Sequence, residues 1–177
     1  LSQLQTTFGV IMLAIVNGET KILTLKQMLE EYIKFQIMVV SRRTAFDLKK
    51  AKERAHILEG LMIALDAIDE VISILRSSKT VQDGKQRLSE RFGLDEPQTQ
   101  AIVQMPLGRL TGLERDKIEH ELGELNEKIA YFGELLADES KIKEVVKKEA
   151  LEVKKQFGDE RRTEIMNVSG DVDIEDL

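Results

Sequence analysis

Two stretches of the chain repeat apolar residues at alternating spacings of three and four. Leu48, Ala51, Ala55, Leu58, Met62 and Leu65 form the first series, and Ile118, Leu122, Leu125, Ile129, Phe132 and Leu136 the second. That rhythm keeps one seam of an α-helix turned toward a partner helix. From about Ser41 to Leu75 no proline occurs and Gly60 is the one glycine. A single glycine costs up to about 1 kcal/mol of helix propensity, too little to end a helix of this length. The second series opens at Thr111-Gly112-Leu113-Glu114, which has capping-box spacing. After a polar break at Asp138-Glu139-Ser140, Ile142, Val145, Val146, Leu151, Val153 and Phe157 extend it. Neither stripe can be buried alone, so the pattern predicts two long helices folded back on each other as an antiparallel pair.

The ends and the middle carry different patterns. Phe8 to Val16 is an apolar run closed by Asn17-Gly18, and Lys21-Ile22-Leu23 follows, which predicts a β-hairpin. Thr24 stands three residues before Gln27, a capping-box spacing for a short helix through about Phe35. Both prolines, Pro97 and Pro106, fall in the middle. There the reading is a short helix from Val81 to Phe92 after a Ser77-Ser78 turn. A second helix, capped by Asp95, runs to about Met105 with Pro97 in its first turn. Leu88, Phe92, Leu94, Ile102, Val103, Met105, Leu107 and Leu110 supply a small apolar set. A cluster that small either packs on the tip of the paired helices or shares its surface with a second copy.

Composition removes several chemistries. Cysteine is absent, so disulfides, thiolate metal sites and cysteine nucleophiles are excluded. The two histidines, His56 and His120, have no ligand-like spacing and are read as structural or surface residues. No apolar stretch approaches the roughly 20 residues that cross a bilayer. The net charge of −6 says little about nucleic acid, because local patches decide binding. Tyr32 and Tyr131 lie in helical patterns with no activating group in sequence reach and are read as structural. No catalytic, cofactor-binding or metal-binding residue is nominated. Arg42, Arg43, Lys49, Lys50, Lys52 and Arg54 make a basic stretch, and an antiparallel pairing would bring Arg161 and Arg162 near it. Phosphate contact and ordinary salt bridging both fit that stretch, since Asp47, Glu53, Asp159 and Glu160 partly offset it.

Several segments resemble bacterial type II DNA topoisomerase A subunits, gyrase ahead of topoisomerase IV. They are Thr7-Phe8-Gly9-Val10, the run from Arg42 to Ala51, and Arg54-Ala55-His56-Ile57-Leu58-Glu59-Gly60-Leu61. Gln100-Ala101-Ile102-Val103, the run from Arg109 to Arg115, and the run from Phe157 to Ile165 complete them in the same order. The sequence departs from the family pattern at Pro106 and Gly108, where arginine and glutamine are common. The resemblance implies a mainly α fold. A long antiparallel coiled coil would carry a small helical dimerisation cap, with a short β-containing segment at its N-terminal base.

Five expected divisions follow from it. Residues 1–40 would end a preceding core domain, with a hairpin and short helix, and 41–76 would be an outgoing arm. Residues 77–110 would form a helical exit-gate domain, 111–158 a return arm, and 159–177 an exit segment toward a further C-terminal domain. The opening at Leu1 and the close at Asp171 to Leu177 suggest a segment of a longer polypeptide. A dimeric gate would use Ile102, Val103, Met105, Leu107 and Leu110, and the basic stretch would face passing duplex. The catalytic tyrosine would lie upstream. ATP and magnesium would enter through the gyrase B subunit, with a second copy of this chain and double-stranded DNA as the other partners. A cytoplasmic location follows, and no membrane. A noncatalytic coiled-coil interaction module of an unrelated protein is the reading from another class.

Overall fold

The computed structural model describes residues 9–106, 108 and 112–164. Among them are one β-hairpin and six helices. Strand β1 (Leu13–Val16) pairs antiparallel with β2 (Glu19–Ile22), Leu13 opposite Ile22 and Val16 opposite Glu19. The turn places Asn17 at φ 54° and Gly18 at φ 85°. Two left-handed residues match the twist of tight hairpins, and Asn-Gly adopts that pair most easily.

Helix α1 (Leu25–Asp66) starts where the Thr24 backbone N–H donates to Gln27 Oε1 at 2.8 Å. It does not stop near Phe35, as the pattern suggested, but runs on for 42 residues. Between 25 and 59 there is no glycine or proline to end it. The break comes later instead, at Ala67 (φ −121°, ψ 39°), inside the stretch expected to be continuous. Helix α2 (Ile68–Ser77) then leaves in a direction that puts Val71, Ile74 and Leu75 against the core.

Helix α3 (Val81–Phe92) is capped by Thr80, whose hydroxyl accepts from the Asp83 N–H, and closes on Gly93 at φ 68°. Helix α4 (Glu96–Val103) has a complete capping box between Asp95 and Gln98, with Pro97 in its first turn. Helix α5 (Gly112–Ala137) follows; its expected capping residue, Thr111, lies outside the described residues. Asp138 separates α5 from α6 (Glu139–Phe157), its carboxylate accepting from the Ser140 N–H at 2.8 Å.

The chain divides into two compact units: residues 40–142, and residues 1–39 with 143–177. The first unit holds a core of Leu58, Leu61, Ala64, Leu65, Val71, Leu88, Leu94, Ile102 and Ile118. At about 25 cal/mol per Å² of apolar surface removed from water, each leucine, isoleucine or valine of this core stabilises by about 1.5–3 kcal/mol. Ion pairs show how α1 and α5 run within this unit. Arg54 grips Glu121 with two hydrogen bonds, at 2.7 and 3.0 Å, and Asp66 meets Arg115. Partners descend along α5 as they ascend α1, so these segments are antiparallel. Ala51, Ala55, Leu58 and Leu65 are buried as the spacing requires, and Leu48 and Met62 are half-buried. On α5 Leu135 is buried and Leu136 exposed, a correction of one position to the predicted seam.

In the second unit the hairpin and the first turns of α1 line one cleft, bounded by Ala14, Val16, Leu23, Met28, Tyr32 and Phe35. Val146, Ala150 and Val153 of α6 line another with Tyr32 and Gln36. No described residue of this unit is fully buried. Leu151, Val153 and Phe157, expected to extend the buried stripe, are all more than half exposed.

Candidate functional site

The sequence points to the end of the residue 40–142 unit, where α4 crosses α1. Gly60 makes the crossing possible: a Cβ there would lie 2.7 Å from the Gln98 Cγ. Across that gap Gln98 is held at both ends of its amide. Its Oε1 accepts from the Asp95 N–H at 3.2 Å, and its Nε2 donates to the His56 carbonyl at 2.8 Å. His56 Nε2 in turn lies 2.6 Å from Asp95 Oδ2. The bond to His56 holds the Asp95 carboxyl below its ordinary range, and the Gln98 N–H adds to the effect. His56 is therefore a joint between α1 and the start of α4, a structural role in keeping with the reading of this histidine, although its partners were not legible in the sequence.

The five nominated gate residues differ in position. Ile102 is turned into the core of its own chain and is not available at the surface. Val103 and Met105 are half-buried at the margin of that core. Leu107 and Leu110 lie outside the described residues.

The nominated basic residues are more compensated than their density suggested. Lys49 and Lys50 both pair with Glu53, and Lys50 also sits over the Phe46 ring, 5.8 Å from its centroid. Arg54 is taken by Glu121, and Arg43 also has an interaction of its own. Arg42 and Lys52 are exposed and carry no ion pair among the described residues. Arg161 and Arg162, in the other unit, respectively donate to the Thr163 carbonyl and pair with Asp159.

Sequence reading passed over another basic surface, on α6. Lys147, Lys148, Lys154 and Lys155 are exposed and make no ion pair among the described residues. Their seven-residue spacing was the available signal.

Tyr32 and Tyr131 are exposed on α1 and α5; Tyr131 leans on Phe132 with ring centroids 5.8 Å apart. His120 faces Glu124 at 3.6 Å. No group of acidic and histidine side chains suited to a metal ion occurs among the described residues, and no described helix is long and apolar enough to cross a membrane.

These features define a mainly helical chain whose residue 40–142 unit sets α1 antiparallel to α5 beside a small helical cluster. Comparison with known proteins assigns it more closely. The family of DNA gyrase/topoisomerase IV A subunits matches residues 1–151, and the chain belongs to that family. It is 56% identical over 176 residues to the DNA gyrase A subunit of Clostridium acetobutylicum, a match covering 99% of this chain and 21% of that protein. The DNA gyrase A subunit of Halalkalibacterium halodurans is 52% identical over 174 residues, covering 98% and 21%. That of Staphylococcus epidermidis is 55% identical over 173 residues, covering 98% and 19%. The chain thus spans about a fifth of the length of these curated relatives.

Proposed function

We propose that this chain is the coiled-coil arm and dimeric exit gate of a type II DNA topoisomerase A subunit, gyrase in preference to topoisomerase IV. The observation that carries the reading is the antiparallel run of α1 against α5, cross-linked by Arg54–Glu121 and Asp66–Arg115 and ending in the α2–α4 cluster. Membership of the family supports it. In this reading the helices hold a small cluster at a distance from the DNA-cutting core, and two copies meet through that cluster.

Val103, Met105, Leu107 and Leu110 supply the contact, with Ile102 bracing it from inside the chain. A C2 interface brings the same patch from each copy together, and it must open to release a duplex. The Asp138 junction between α5 and α6 is the bending point of the return arm. The segment itself performs no chemistry. The catalytic tyrosine belongs to another part of the parent protein, and ATP and magnesium act through the gyrase B subunit of a cytoplasmic assembly working on double-stranded DNA. On α1, Arg42 and Lys52 are the members of the basic stretch left to meet phosphate.

Sedimentation equilibrium of the chain and of a Leu107→Asp variant tests the gate. The expected result is a reversible dimer that the variant loses while circular dichroism shows its helices intact. A helical monomer at every concentration overturns the reading.

A further inference from the structure

The lysines of α6 differ in setting from those of α1. Lys147 and Lys154 are seven residues apart, as are Lys148 and Lys155. At 3.6 residues per turn all four lie within about 120° of one another, over roughly 12 Å of helix. Leu151, itself exposed, stands at the centre of this face. Val146 and Val153 on the far side of the helix, with Ala150 at its flank, line the cleft with Tyr32 and Gln36. The lysine face is therefore directed away from the cleft that α6 shares with Tyr32 and Gln36.

Acidic residues stand within reach and do not take up these ammonium groups. Glu144 lies on the same face at pairing distance in sequence from Lys147 and Lys148, yet it forms no ion pair with them among the described residues. Glu152, beside Lys148 and Lys155, accepts from Gln156 at 3.3 Å. On α1, by contrast, Glu53 alone engages both Lys49 and Lys50.

We infer that the Lys147, Lys148, Lys154 and Lys155 face of α6 is a docking surface for the phosphate backbone of duplex DNA. The inference rests on the proposed action of the parent protein on DNA and adds a contact surface to it. Charge complementarity carries it. The chain as a whole is acidic, at −6, so four lysines on one helix face without an ion pair among the described residues oppose the global sign. Lysine ammonium groups on flexible stems are point charges without a fixed fork. They suit a regularly charged backbone read without regard to sequence. No aromatic side chain stands within the face to stack an unpaired base, so duplex is favoured over single strand.

The test is fluorescence anisotropy of a labelled mixed-sequence duplex of about 30 bp with the whole chain, between about 50 and 200 mM salt. Changing all four lysines to glutamine, a good helix former, preserves α6 while removing the charge. The expected result is weaker binding and a log K against log salt slope shallower by about 3–4, since each phosphate contact contributes about 0.9. Changing the four to arginine keeps the slope. An Arg42→Gln, Lys52→Gln pair shifts it by no more than about 2. An unchanged slope in the quadruple glutamine variant overturns the inference. So does tighter binding of a polyglutamate peptide than of duplex, which would mark the face as one for an acidic protein. A chain that still dimerises by sedimentation while failing this test leaves the gate reading standing and removes only the α6 surface.

Discussion

The residue 40–142 unit and the remainder of the chain are built from similar amphipathic sequence, yet only the first has a core. It contains every fully buried side chain among the described residues, Leu58, Leu88 and Val71 among them. In the other unit Ile15 is 75% exposed, Phe157 is 77% exposed, and the Leu13, Ile15 and Ile22 face of the hairpin meets solvent. Apolar content does not separate them. Convergence does: α1, α2, α3, α4 and α5 all send side chains to one cluster in the first, whereas in the second a hairpin and two helix segments share only shallow clefts. A stripe therefore predicts a buried surface only where enough elements meet around it.

The sharpest way to break that contrast is to truncate one leucine in each unit. Leu58→Ala is expected to cost about 2–5 kcal/mol in urea unfolding, from lost transfer energy and the cavity left behind. Leu29→Ala, on the exposed part of α1, is expected to stay within about 0.5 kcal/mol. Comparable losses at both would mean that the second unit has a core of its own.

Glycines sharpen the picture within the first unit. Alanine at 60 gains up to about 1 kcal/mol in helix propensity but drives its methyl into Gln98, an overpacking that costs about 1–3 kcal/mol. A net fall in Tm is expected. Gly133 on α5 has nothing within 4 Å of an added Cβ, so Gly133→Ala is expected to raise stability by about 0.5–1 kcal/mol. Gains at both positions would show that α4 does not press on α1.

A pH series probes the same crossing. Asp95 is held below the ordinary carboxylate range by His56 and the Gln98 N–H. A depressed folded pKa adds stability above the unfolded value, about 3.9, and that stability is lost as pH falls through the folded one. The gap between wild type and Asp95→Asn should be full at neutral pH and should close below about pH 4. A gap that persists undiminished to about pH 2 would contradict the bond to His56.

The smallest effect belongs to the ion pairs between α1 and α5. Both partners of Arg54–Glu121 are more than a third exposed. A double-mutant cycle should return about 0.2–1 kcal/mol, falling as salt is raised.

Much of the local structure was legible from short-range rules. Asn17-Gly18 gave the hairpin, Thr24 and Asp95 gave two helix starts, and Val81–Phe92 had the bounds that its flanking residues imply. The three-and-four spacing found the side of α1 that meets the core. Misreadings came where no local residue decides. Nothing at Phe35 could stop α1, and nothing at Ala67 announces the break, because that break is set by where Val71 and Leu75 pack. The candidate surfaces were less legible still. Charge density on α1 stood out in the sequence, but Glu53 and Glu121 take much of it up, and pairing across helices is invisible in a linear reading. The α6 lysines were diluted by the glutamates between them. Ile102 joined the nominated gate because it is apolar and adjacent, and adjacency does not say which way a side chain turns.

Gln98 spans a gap that only one length of side chain fits. Its amide accepts a hydrogen bond from α4's own cap at one end and donates one to the α1 backbone at the other. A shorter asparagine could not reach both ends, and a glutamate of the same length would bring an acceptor to an acceptor. The chain thus contains its own feeler gauge: the separation of α4 from α1 at this crossing matches the length of one side chain.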